Sequence, residues 1–106
     1  MPRALTFMAM CAFMVSATAE AITVQRQGEL LNLLYQDCGS CHGMRLTGGL
    51  GPPLTPYALR GKNHEFLTIT ISEGRSGTPM PPWKTLLSRQ EIAWIAEFLK
   101  NPGGKP

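Results

Sequence analysis

The chain has 106 residues, 43% hydrophobic and 16% charged, with ten Lys and Arg against seven Asp and Glu and a formal net charge of +3. The basic residues are scattered rather than clustered with interleaved aromatics, so the pattern excludes a nucleic-acid-binding surface.

The first residues read as a secretory signal: Arg3 gives a short positive start, Ala4 to Val15 an apolar run, and Ala17-Thr18-Ala19 the small residues of a cleavage site. Cleavage after Ala19 divides the chain into a signal peptide, residues 1–19, and one domain, residues 20–106. A membrane span asks for roughly 20 apolar residues, and this run is shorter and ends in Ser16 and Thr18. No stable membrane insertion is therefore expected once the signal is removed. Cys11 lies inside the run, where Met8-Ala9-Met10 lacks the small residue of a lipoprotein cleavage site, and it is expected to leave with the signal. Cys38 and Cys41 then remain, with no spare pair for a structural disulfide. The mature domain is near the size at which an ordinary apolar core becomes marginal, and a monomer is expected.

From Gln25 to Asp37, Leu30, Leu31, Leu33 and Leu34 approximate a helical stripe that ends at the cysteines. Gly28 inside it costs about 1 kcal/mol relative to Ala, which suggests that another helix crosses closely there. The next residues, Cys38-Gly39-Ser40-Cys41-His42, form C-x-x-C-H, the attachment pattern of c-type haem. Two thiols three positions apart can each add across a haem vinyl group, and the adjacent imidazole can then bind iron. Two other readings compete. A redox dithiol would normally open a helix after a strand in a βαβ unit, and no such alternation surrounds Cys38. A zinc site of Cys38, Cys41, His42 and His64 is conceivable, although the adjacency of Cys41 and His42 makes it awkward.

Gly43 to Gly61 is rich in Gly and Pro without a sustained period. Its Leu46, Leu50, Leu54, Tyr57 and Leu59 mark a loop that wraps a large apolar ring. Phe66 to Ile71 alternates and favours a strand by local propensity. Asn63 as an N-cap, Glu65 in a first turn and Gly74 at the end nevertheless predict a helix. In Gly77-Thr78-Pro79-Met80-Pro81-Pro82-Trp83, prolines bracket a thioether and fix φ around it. Met80 is the expected sixth iron ligand, since Met44 lies too close to His42 to reach around the ring. His64 is the alternative, and its place at a helix start marks it as a surface residue. A ligating imidazole usually donates its other N–H to a carbonyl or carboxylate, and a carbonyl near Pro52 is the candidate. Ser88-Arg89-Gln90-Glu91 is a capping box that opens a final helix with Ile92, Ile95, Ala96 and Leu99 at helical spacing. Trp94 and Phe98 form a second apolar ridge, and Pro102-Gly103 ends the helix.

From Gly28 to Lys100 these residues resemble the class I c-type cytochromes: C-x-x-C-H near the start, Gly51-Pro52 downstream, Met80 in a proline-rich loop and an amphipathic last helix. The resemblance implies an all-α fold around one covalently attached haem c. Cys38 and Cys41 are then the thioethers, His42 and Met80 the axial ligands, and the Pro52 carbonyl the support of His42. Gly28 and Phe98 fall at the crossing of the terminal helices. One departure is Tyr35, three before Cys38 where the family commonly has an aromatic four before. More narrowly, Cys38 to Trp83 is similar to the cytochromes c55X, small periplasmic cytochromes associated with cd1-type nitrite reductase.

With both axial positions filled, one-electron transfer is expected, not catalysis, through the haem edge near the thioethers and Trp83. An axial Met raises the reduction potential. The expected partner is a redox protein in the periplasm, cd1-type nitrite reductase in denitrification or during maturation of that enzyme's specialised haem. Arg45, Arg60, Lys62, Arg75, Lys84 and Arg89 against Glu65 and Glu73 could form a basic rim for docking. The alternatives are a ligand-binding or peroxidatic haem protein from which Met80 departs, and a structural zinc module.

Overall fold

In the computed structural model, residues 11–16 and 21–103 are described. The N-terminal signal reading therefore lies largely outside the described residues, as does the proposed cleavage site. Among the described residues no helix is long and apolar enough to cross a membrane, and there is no strand. The all-α expectation is met by α1, Val24–Leu33, continuing through a π-helical turn, Leu34–Cys38, into α2, Gly39–His42. Then follow α3, Pro56–Leu59, α4, His64–Glu73, a single 3-10 turn, Trp83–Thr85, and α5, Arg89–Lys100.

The last helix organises the others, packing against α1, α3, α4 and the 3-10 turn. Its capping box forms as the sequence predicts: Glu91 N–H donates to Ser88 Oγ at 3.1 Å, and Ser88 N–H to Glu91 Oε1 at 3.0 Å. Ile92, Ile95, Ala96 and Leu99 then bury one face of α5. Leu30, Leu34, Ile92 and Ile95 are the largest fully buried side chains, each contributing about 1.5–3 kcal/mol. Trp94 and Phe98 stack at 5.7 Å between ring centroids, partly buried against this core.

Local propensity loses to packing in α4. The Asn63 carbonyl Oδ1 accepts from Phe66 N–H at 2.7 Å, which caps the helix. The β-branched Thr68 and Thr70 fit because their hydroxyls donate to the His64 and Phe66 carbonyls one turn back, at 2.9 and 2.7 Å. Leu67 is buried in the common core, and a strand in its place would have no partner for its backbone.

Two expectations need correction. The first helix does not stop at the cysteines but carries them through to His42. The close crossing at Gly28 is absent: a Cβ built there has no heavy atom within 4 Å. The joint between α1 and α5 includes instead an ion pair of Arg26 with Glu91, reinforced by Arg26 to Glu29 at 2.7 Å. Its hydrogen bonds hold the Arg26 guanidinium above its ordinary pKa and the Glu91 carboxyl below its own.

Replacing Gly28 with Ala should therefore stabilise the protein, by up to about 1 kcal/mol, because helix propensity improves and nothing clashes; denaturant titration checks it. Because Glu91 titrates lower in the folded than in the unfolded state, its stabilisation is complete above the unfolded value of about 4.3 and is lost as pH falls through the folded value. Glu91→Gln should lower stability at neutral pH and flatten this acid limb, measured as thermal midpoint against pH.

Candidate functional site

The helices close around a cavity of about 600 Å³, within the roughly 300–1,000 Å³ of small-molecule and cofactor sites. The end of the first helix supplies Leu34, Cys38, Cys41 and His42 to its wall. Leu50 to Leu54, the inner sides of α3 and α4, the Thr78–Pro81 segment, Trp83, and Ile95 and Leu99 of α5 complete it. Its wall is mostly aliphatic, aromatic or proline, as a large apolar ring requires.

The π-helical turn aligns the first of these groups. Gly39 N–H bonds the Leu34 carbonyl, five residues back, so the turn is wider than an α-turn. An α-helix drifts by about 40° over each four residues, and the wider turn offsets that drift. Leu34, Cys38 and His42, each four apart, consequently all reach the cavity. The same geometry resolves the irregularity at Tyr35, which is 38% exposed while Leu34, four before Cys38, is fully buried. Leu34 occupies the inward position, and no aromatic is needed there.

His42 is held with particular care. Pro52 O can only accept, so the 2.7 Å contact from His42 Nδ1 makes that nitrogen the donor and leaves Nε2 with its lone pair. The chain folds back to permit this. Gly48 N–H donates to His42 O and Gly51 N–H to Cys41 O, both at 2.8 Å, which satisfies carbonyls at the end of α2. A Cβ on Gly51 would lie 2.8 Å from two atoms of the imidazole, so only glycine lets the backbone pass. Gly43, at φ 92°, starts the reversal.

Both motif cysteines are half-buried, and they form no disulfide with each other. Burial, with the charge of Asp37 adding to it, pushes the Cys38 thiol up to about 11. Met80 also lines the cavity, in a loop clamped by Arg75 N–H to Met80 O at 3.2 Å and by Met80 N–H to Thr78 Oγ1 at 3.3 Å. Gly74, at φ 67°, ends α4 where a Cβ would come within 2.7 Å of Met80 O. Trp83 is half-buried on the same wall.

Other expected lining residues separate. Leu54 and Leu59 face the cavity, and Leu50 reaches it while 81% exposed. Leu46 joins the core instead, and Tyr57 turns outward, with the Arg60 guanidinium 4.3 Å over its ring. His64 lies away from the cavity and its Nε2 donates to Ala93 O at 2.9 Å, tying α4 to α5. Among the described residues no three His, Cys, Asp or Glu side chains converge to hold a metal ion, so the zinc arrangement lacks its ligands. Sequence reasoning missed α3 and the cavity positions of Lys62 and Arg75. Thr55, whose hydroxyl accepts from Ala58 N–H, with Pro56 at the first helical position was the available signal for α3.

A small all-helical domain with an apolar cavity, two thiols and an imidazole presented to it from one helix end is a c-type cytochrome. A family model described as "Cytochrome C oxidase, cbb3-type, subunit III" matches residues 26–99. The chain is 60% identical over 75 residues to cytochrome c55X of Pseudomonas aeruginosa, covering 71% of this chain and 63% of that protein. To cytochrome c55X of Stutzerimonas stutzeri it is 51% identical over 90 residues, 85% of this chain and 80% of that one. A solved structure, the c-type cytochrome NirC, superposes with a TM-score of 0.74 at 55% identity, over 79% of this chain and 99% of that one. The chain therefore belongs to the cytochrome c family, with the cytochromes c55X, and its cofactor is covalently bound haem c.

Gly51→Ala should overpack the imidazole, destabilising the haem-loaded protein by about 1–3 kcal/mol and lowering the fraction that carries haem. Haem absorbance per mole of protein, beside a denaturation curve, checks it.

Proposed function

We propose that the protein is an exported electron carrier, with residues 1–19 as a removable signal, residues 20–106 as the working domain and the periplasm as its location. Cys38 and Cys41 would hold haem by thioether bonds, with His42 Nε2 and the Met80 sulfur as axial ligands. When bound, haem supplies a one-electron couple between ferric and ferrous iron. The observation that carries this reading is the placement of both cysteines, His42 and Met80 on one apolar cavity.

Each residue contributes a physical effect. Pro52 O orients His42 and keeps Nδ1 protonated, which leaves Nε2 free to ligate. The thioether donor favours the reduced state and so a higher potential. The apolar wall excludes water, which limits reorganisation when charge changes. Thr78 and Arg75 clamp the backbone on both sides of Met80, which favours a filled sixth position and an electron carrier over a peroxidatic protein that must release Met80.

The acceptor we infer is cd1-type nitrite reductase, either in turnover or while its specialised haem matures, from the similarity to the cytochromes c55X. Arg45, Arg60, Lys62 and Arg75 are exposed and form no ion pair with an acidic side chain among the described residues. They suit an acidic docking surface, and Trp83 and the thioether edge lie on the path of transfer.

Rapid mixing of the reduced protein with cd1-type nitrite reductase and nitrite should oxidise the haem quickly, only when both are present and more slowly as salt rises. No oxidation by an active reductase would remove that partner, and a rate indifferent to salt would remove the basic docking surface.

A further inference from the structure

A single exposed leucine is ordinary on a protein surface, and Leu50 is set apart by where it stands and how it is held. Among the described residues, two of the exposed large apolar side chains reach the cavity wall, Phe66 at 47% exposure and Leu50 at 81%. Phe66 divides its surface between cavity and solvent, whereas Leu50 stands mostly in solvent at the rim. Leu86, 71% exposed, does not line the cavity.

The backbone on both sides of Leu50 is fixed. Gly49 N–H donates to Gly51 O at 3.0 Å, closing a turn around Leu50 itself, and Gly51 N–H donates to Cys41 O at 2.8 Å. A Cβ on Gly49 would lie 2.7 Å from Cys41 O, and one on Gly51 2.8 Å from the His42 ring. Both neighbours therefore press against the helix end that carries Cys41 and His42, and the side chain between them is left outside. Met44, whose sulfur packs beside Gly39 of the same helix end, and Pro52 and Pro53 are exposed as well and add apolar surface. Ordering a loop on association costs free energy, and here the fold has already ordered it.

The charges around this rim are unbalanced. Asp37, Lys62 and Arg75 line the same cavity, and Arg45 follows Met44 in the chain. The three cations form no ion pair with an acidic side chain among the described residues. Three positive groups against one negative suit a partner surface that carries an excess of acidic side chains.

We propose that Leu50 is the apolar anchor of the docking surface: it enters an acid-rimmed apolar recess of the electron-accepting protein and seats that protein against the segment holding Cys41 and His42. This rests on the reading of the chain as an electron carrier to cd1-type nitrite reductase. It adds the contact that the basic rim does not supply, since charge speeds the encounter while buried apolar area governs how long the complex lasts.

The test mixes reduced, haem-loaded wild type, Leu50→Asn, Leu50→Met and Leu86→Asn rapidly with increasing cd1-type nitrite reductase in excess nitrite. None of the substitutions changes charge, and both positions lie mostly in solvent, so the fold is retained. Leu50→Asn should raise the half-saturating reductase concentration by about tenfold, as expected when a leucine no longer buries its side chain. Leu50→Met should restore the wild-type value, and Leu86→Asn should match it. The reduction potential of each variant, measured alongside, separates a change in driving force from a change in docking. A half-saturating concentration that is unmoved in Leu50→Asn, that rises equally in Leu86→Asn, or whose rise follows the potential alone would overturn the anchor and leave the electron carrier intact. So would a wild-type dimer in sedimentation that Leu50→Asn dissociates, because Leu50 would then face a second copy of the chain. Wild type that an active reductase leaves reduced would overturn the partner reading itself, and the anchor with it.

Discussion

The hydrogen bond from His42 Nδ1 to Pro52 O is the constraint on which most of this structure depends. A free imidazole exchanges between two tautomers on a rotating ring, so neither nitrogen is fixed as the one with the free lone pair. The carbonyl can only accept, so it selects one tautomer, and at 2.7 Å it also fixes the ring plane. To bring that carbonyl there, the chain must reverse immediately after α2. Gly43 adopts a positive φ, Gly48 and Gly51 close onto the helix end, and Gly51 lacks the side chain that would collide with the ring. The glycine content of this segment is thus a consequence of where one nitrogen has to point.

A second constraint is size. A domain this short cannot bury a large core of its own, and its apolar residues are arranged around a cavity rather than collapsed into it. The fully buried side chains sit where the first helix meets α5, and Leu34, Leu59, Leu67 and Leu99 form wall and core at once. The cofactor of the family is thereby a structural member as well as a redox centre. Attachment, folding and electron transfer draw on the same contacts, because burying the ring keeps water from the iron and completes the apolar interior.

Two local distortions reconcile helix geometry with that cavity. The π-helical turn brings Leu34, Cys38 and His42 onto one wall. Gly74 ends α4 with a positive φ and leaves room for Met80 O, so the thioether arrives on a loop rather than a helix. Around Met80 the prolines limit the backbone, while Thr78 and Arg75 supply the hydrogen bonds that prolines cannot. Rigid placement follows without regular secondary structure.

The attachment motif, the cap and apolar face of α5, and Met80 between prolines were legible in the sequence because each depends on residues close together along the chain. A capping box closes within four residues, and C-x-x-C-H is its own local chemistry. The same reasoning correctly preferred a helix for Phe66 to Ile71 once Asn63 and Gly74 were weighed against β-branched propensity. It erred at Gly28 and Tyr57, where the question was what lies across space: open solvent beside one, an arginine over the other. Nor could it separate Lys62 and Arg75 from the other scattered cations, since their distinction is that they reach the cavity wall. The sequence alone determined the cofactor chemistry and the helices that present it. The tertiary structure decided the width of the turn before Cys38 and which charges face the cavity, because these depend on distances between residues far apart in the chain.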